Sequence, residues 1–227
     1  MGTAGLLPFQ RPDWHPGNEL DDRWIDTLER LWISSCHAEA MSCGDWHLFK
    51  VRPNNFPIRR IVAMSYLILR YKGKGMLGEV VDVVREVAIS KSHCRLEEGL
   101  IVTTNDYWAS HFDFGSGYRI KAPTLLGSRR AADIVVNVIL PFAYAWGRVN
   151  SHPELETKAF DLYCSYPRLA VNAVERHMRN QLGLGSRLVN SARRQQGLIH
   201  IYKTLCTQGR CGSCPLTQSE AGNYVQV

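Results

Sequence analysis

Apolar residues in this chain recur mainly at intervals of three and four, the spacing that gathers them on one face of a helix. Trp24, Leu28, Leu31 and Trp32 follow that period behind Asp21 and Asp22, acids suited to a helix N-terminus, and predict an amphipathic helix from Asp21 to about Ser35. Trp24 and Trp32 read as core residues of that helix. Pro57 is well placed as the first residue of a second helix reaching about Tyr71, with Ile58, Ile61, Val62 and Leu69 on a broad apolar face. Gly73 to Gly78 reads as a loop, followed by a helix through Val80, Val81, Val83, Val84 and Val87, with Cys94 in the loop after it. A strongly apolar helix from Ala131 to about Trp146 is hydrophobic nearly all round. That pattern predicts a central buried helix kinked at Pro141, with Asn137 one turn earlier bonding into the broken ladder. Three more helices are predicted: Pro153 to Cys164, Leu169 to Leu182, and Ser186 to about Leu205, joined by short loops that favour antiparallel neighbours.

Residues 96–127 break the helical period. The segment Asn105-Asp-Tyr-Trp-Ala-Ser-His111-Phe-Asp113-Phe-Gly-Ser-Gly117 mixes aromatics with His and Asp. No second motif completes a triad or metal trio, so a packed aromatic loop is the favoured reading over a site loop. Residues 1–20, rich in proline and glycine, predict an extended arm running over the surface or packed on the body, and residues 217–227 a disordered or loosely docked tail. The expected architecture is mainly α: a single helical bundle over residues 21–216 with an irregular mid-chain insertion and a C-terminal cysteine-ligated metal site.

Three of the seven cysteines fall at Cys206, Cys211 and Cys214, spaced C-x4-C-x2-C, directly after the last apolar helical run. Gly209 and Gly212 let the backbone turn back so that the sulfurs can converge, and Pro215 stops a helix from continuing. With a distant fourth cysteine this is the plant-type ferredoxin spacing, so an iron-sulfur cluster, 4Fe-4S or 2Fe-2S, is the leading expectation and zinc the alternative. A redox dithiol at Cys211 and Cys214, or three unrelated thiols, are the plainer readings. Cys164 is the expected fourth ligand, because it ends a predicted helix just before Pro167. His200 is the other candidate, although a buried core histidine is the simpler expectation for it.

Charge adds a second theme. The formal net charge is +6, enough to suggest a polyanion partner. Arg187, Arg193, Arg194 and Lys203 lie on the last predicted helix, and no acid occurs between Arg176 and Arg210. DNA or RNA is the expected partner of that stretch, with a solvated charged face as the plain alternative. Arg52, Arg59 and Arg60 crowd the N-terminal end of the second helix, where the helix dipole favours anions. They either pair with acids or bind a phosphate or carboxylate together with free backbone N–H groups. No uninterrupted run of about 18 apolar residues is present and the N-terminus has no export pattern, which favours the cytoplasm, reduced thiols and no membrane partner.

Four stretches together resemble an uncharacterised bacterial family known only as a domain of unknown function. They are Gly2-Thr-Ala-Gly-Leu-Leu-Pro8, Val51-Arg-Pro-Asn-Asn-Phe-Pro57-Ile-Arg-Arg60, the helix from Gly127 to Phe142, and Gln195-Gln-Gly-Leu-Ile-His-Ile-Tyr202. The resemblance covers essentially the whole chain and places it at the family's C-terminal half. Longer members look like two halves, the first carrying carboxylate motifs reminiscent of metal-dependent nucleases, a pattern that residues 1–227 do not match. The resemblance implies no established activity; it allows an accessory module that partners a nuclease-like half carried elsewhere, with an enzyme in its own right as the third reading. The leading function is a nucleic-acid-associated module holding an iron-sulfur cluster. The alternative is a metal-stapled structural or protein-interaction domain.

Overall fold

The computed structural model describes residues 1–11, 22–35, 39–48, 50–87, 92–115, 119–185 and 187–214. The arm beyond Arg11, Asp21, Cys36, Ser186, Pro215 and the predicted tail lie outside the described residues. The expected predominance of helix holds, but the chain divides into two compact units where one bundle was predicted. One comprises residues 1–79 and 100–128, the other residues 80–99 and 129–227.

In the first unit, α1 (Asp22–Ser35) and α2 (Pro57–Arg70) form where the helical period predicts them. Pro57 opens α2 because its missing N–H would be unpaired in the first turn anyway. Ile58, Val62, Ala63 and Leu67 make the buried face of α2, and it packs on a two-stranded antiparallel sheet. The strands β1 (Val102–Thr103) and β2 (Thr124–Leu126) pair Val102 with Leu126 and Thr103 with Thr124. On α1 the half-buried Trp24 meets Tyr107 edge-on at 5.5 Å and Phe114 at 5.6 Å. Leu31, predicted on the same face, is 58% exposed. His111 stacks on Tyr107 at 3.9 Å, and Asp113 takes an ion pair from Arg11 at 2.7 Å, so residues 105–115 form a packed aromatic loop. The first eleven residues pack on the body: Leu6 and Leu7 are buried and Trp46 Nε1 donates to Ala4 O at 2.8 Å. Gly5 has no substitute there, since φ is +62° and a Cβ would lie 2.0 Å from Met41 O.

α3 (Met76–Glu86) leads from one unit to the other, beginning within the stretch read as a loop. In the second unit Cys94 sits exposed on a short helix, α4 (Ser92–Glu98), where a loop was expected. The long helix α5 (Ser128–Val149) contains a π-helical turn at Val135–Ile139, just before Pro141. Asn137 Nδ2 donates to Asp133 O at 2.8 Å within that widened turn, as its position before the proline predicts. α6 (Pro153–Ser165) folds back onto α5 at Gly147, where a Cβ would stand 2.7 Å from Glu156 N. α5 is not buried all round. Ala131, Val135, Ala143 and Gly147 bury one side, while Val138, Trp146 and Val149 are exposed, because a single layer of neighbours can cover only one face of a helix. Taken as a helix and not as an uninterrupted apolar run, α5 is the one described helix long and apolar enough to cross a membrane.

The last two helices are shorter than their apolar periods suggest. α7 (Ala173–Gln181) starts at Asn172, whose side chain accepts from Glu175 N, and α8 (Ala192–Thr204) starts at Ser191, whose Oγ accepts from Arg194 N. Each cap satisfies a backbone donor that has no partner inside the helix, which sets both starts several residues later than predicted.

Candidate thiol pocket and basic helix

α8 carries both features that the sequence singles out. Its start is locked to the end of α6 by Ala192 N donating to Tyr166 O at 3.1 Å and by a bridge between Pro167 and Ser191. Ala192, Gln195 and Leu198 form its buried side. After Thr204 the chain makes a 3-10 turn at Cys206–Gln208, then reverses at Gly209, whose φ of +65° is open to glycine at little cost. Arg210 N closes the reversal on Leu205 O at 2.9 Å, and a second 3-10 turn, Cys211–Ser213, follows.

This path brings Cys206, Cys211 and Cys214 to one cavity of about 70 Å³, lined also by Met178, Leu182 and Ile201. Cys214 is buried, Cys206 half-buried and Cys211 exposed. The Cys206 thiol faces the Met178 thioether with the sulfurs 4.0 Å apart. Cys164 is elsewhere. It sits in the last turn of α6, where Arg193 Nη1 donates to its Sγ at 3.5 Å. Arg193 lies in the first turn of α8 and Cys206 just past its last, so 13 residues, or about 20 Å of helix, separate the two places. Cys164 does not line the cavity, and His200 is exposed on α8, not a core histidine. Among the described residues no three His, Cys, Asp or Glu side chains are arranged to hold a metal ion. The cavity thus offers three thiols and a thioether, which does not fit the four-thiolate set expected for a cluster with Cys164.

The basic residues divide by environment. Arg187, Arg193, Arg194 and Lys203 are all exposed. Arg194 Nη1 donates to Leu188 O at 2.9 Å and to Asn190 Oδ1 at 3.3 Å, and Arg193 to the Cys164 sulfur, so both guanidinia rest on neutral acceptors. Among the described residues none of these four cations is ion-paired with a carboxylate. Lys203 lines a groove of about 590 Å³ together with Arg129, Asp133, Asn137, Gln196 and residues 169–174, which lead into α7. The acid that precedes this stretch in sequence, Glu175, is fully buried and committed to Arg168, Arg179 and Gln195. Neither Glu175 nor Met178 stands out in the sequence, because each lies singly inside an ordinary amphipathic helix.

In the other unit the arginine cluster comes apart. Arg59 is fully buried, and its guanidinium donates to the carbonyls of Trp108, His111 (2.7 Å) and Ala122. Burial lowers its pKa below the ordinary arginine value, and the neighbouring Arg60 lowers it further. Arg60 donates to Leu125 O at 2.8 Å and to Asn55 Oδ1, while Arg52 is exposed. Arg59 therefore neither pairs with an acid nor faces an external anion. It gathers the carbonyls of Trp108, His111 and Ala122 from one side of this unit.

No curated protein and no solved structure matched the sequence. The family match ends at residue 169, ahead of α7, α8 and the three clustered cysteines, so the resemblance at Gln195–Tyr202 lies beyond it. Over residues 1–169 the sequence matches the family described as Protein of unknown function (DUF2851), and the chain belongs to that family.

Proposed function

We propose that this chain is an accessory module that binds nucleic acid through phosphates, using the exposed cations of α8 and the segment before it. The supporting observation is that Arg193 and Arg194 are exposed and held by neutral acceptors, leaving their charge uncompensated. An arginine in a carboxylate pair is already neutralised, whereas one propped by a carbonyl or a sulfur keeps its full field and a defined direction. Lys203 and Arg129 add two cations along the neighbouring groove, while Asp133 in the same groove stands 3.7 Å from Arg130. Such a surface reads backbone charge and not base sequence. A partner carrying the catalytic half would use it to hold the strand.

Binding of labelled single- and double-stranded DNA and RNA, measured against salt, tests this reading. The affinity should fall steeply with salt, and replacing Arg193 and Arg194 together by Ala should lower the slope by about one unit for each phosphate that is no longer neutralised. The thermal midpoint should stay nearly unchanged. A parent protein with no salt-dependent affinity, or a double variant with a large loss of stability and no loss of binding, would overturn it.

A further inference from the structure

The cavity at the end of α8 is lined by four sulfurs, and only three of them are cysteines. Cys206 opens the first 3-10 turn and Cys214 caps the end of the second, and Met178 reaches in from α7, where it is almost completely buried. The geometry points to a soft-metal site that binds one Cu(I)-class ion through Cys206, Cys214 and the thioether of Met178. The site is independent of phosphate binding by the arginines.

Sulfur spacing and donor type both favour such an ion. The first is the separation of Cys206 Sγ and Met178 Sδ, 4.0 Å. Two sulfurs bonded to one ion at about 2.3 Å, with a trigonal angle between them, stand about 4.0 Å apart, so the ion fits with little movement of either side chain. The second is donor type. Zinc takes thiolate, imidazole and carboxylate, and iron-sulfur clusters take thiolates, whereas a thioether beside thiolates selects a soft monovalent ion such as Cu(I). Among the described residues no imidazole or carboxylate lines this cavity, and its other walls are Leu182, Ile201, Leu205 and Gln181. A volume of about 70 Å³ between these walls leaves room for a single ion. Binding displaces one proton from each thiol, so a Cu(I) centre with two thiolates and a thioether carries one net negative charge. That charge would sit in a stretch without an acid from Arg176 to Arg210. Cys211, exposed on the same cavity, is the sulfur that an arriving ion meets first.

The test is a competition between the reduced full chain and the chromophoric Cu(I) chelator bicinchoninate, without oxygen. The parent protein should withdraw one Cu(I) per chain. Met178→Leu, which conserves volume in the core, should weaken binding at least ten-fold, Cys206→Ser should weaken it further, and Cys164→Ser should leave it unchanged. Apo Met178→Leu should keep the parent's thermal midpoint. If that variant does not fold, slower alkylation of Cys206 and Cys214 in the parent when Cu(I) is present, read by mass spectrometry, decides instead. Failure of the parent to compete, equal affinities for the parent and Met178→Leu, or a Cys164→Ser loss as large as that of Cys206→Ser would each overturn the proposal. Protein holding iron with labile sulfide, or zinc, after exposure to Cu(I) would do the same.

Discussion

Gln195 Nε2 donates to Glu175 Oε2 at 2.5 Å, joining α8 to α7 inside the second unit, where both residues are fully buried. The orientation of the amide is dictated by its surroundings. Leu169 O and Ala170 O also face the nitrogen, so three acceptors hold it and Oε1 points away without a partner. Glu175 also accepts from Arg168 and stands 3.9 Å from Arg179, and this compensation is what allows a carboxylate in a core. Glu175→Ala would strand Arg168 and Arg179 in a half-buried site and should cost about 3–5 kcal/mol. Gln195→Leu removes a hydrogen bond to a charged group, at about 1.5–3 kcal/mol. In a double-mutant cycle by urea unfolding the two losses should sum to clearly more than the double variant shows. Strict additivity would mean that the two side chains do not act as a unit.

Arg59 makes a second prediction. Its guanidinium satisfies carbonyls from Trp108, His111 and Ala122, and a lysine can neither span them nor replace the planar fork. Each stranded carbonyl costs about 1–3 kcal/mol, so Arg59→Lys should destabilise by several kcal/mol. Arg52→Ala, at an exposed position, should stay within about 0.5 kcal/mol. Comparable midpoints for the two variants would show that the carbonyl cluster finds other donors.

The third prediction concerns alkaline pH. Tyr166 is 3% exposed and donates to Glu97 Oε1 at 2.6 Å. Burial is the larger cause, and the bond to Glu97 the next, of a phenol pKa raised well above the ordinary tyrosine value. The folded state thus keeps a proton that the unfolded chain releases near pH 10. The stabilisation is full below that pH and disappears as pH rises beyond it. Tyr166→Phe should cost about 1.5–3 kcal/mol at neutral pH through the lost bond to a carboxylate, and should flatten the fall in stability above pH 10. An alkaline limb equally steep in the variant would assign that limb to other groups.

Local periodicity and turn chemistry were legible in the sequence. Pro57 marks the start of α2 and Pro153 that of α6, because each is an effect of a residue on its own stretch of backbone, whereas near Pro141 a kink was expected and the turn before it is π-helical. Gly209 likewise turns the chain between Cys206 and Cys211. The starts of α7 and α8 were less legible, since several polar residues precede each apolar run and only the geometry selects Asn172 and Ser191 as caps.

What the sequence determined by itself is therefore the mainly helical character, the acid-free basic stretch and the grouping of Cys206, Cys211 and Cys214, all carried by neighbours along the chain. Only the tertiary structure decided the partners of those groups. It put Met178 beside Cys206, placed Cys164 against the far end of α8, turned Arg59 inward onto carbonyls and left Arg193 and Arg194 outward. The reason is geometric. Spacing along a helix fixes which side chains share its face, but what that face meets depends on how separate helices pack, and no local pattern encodes that.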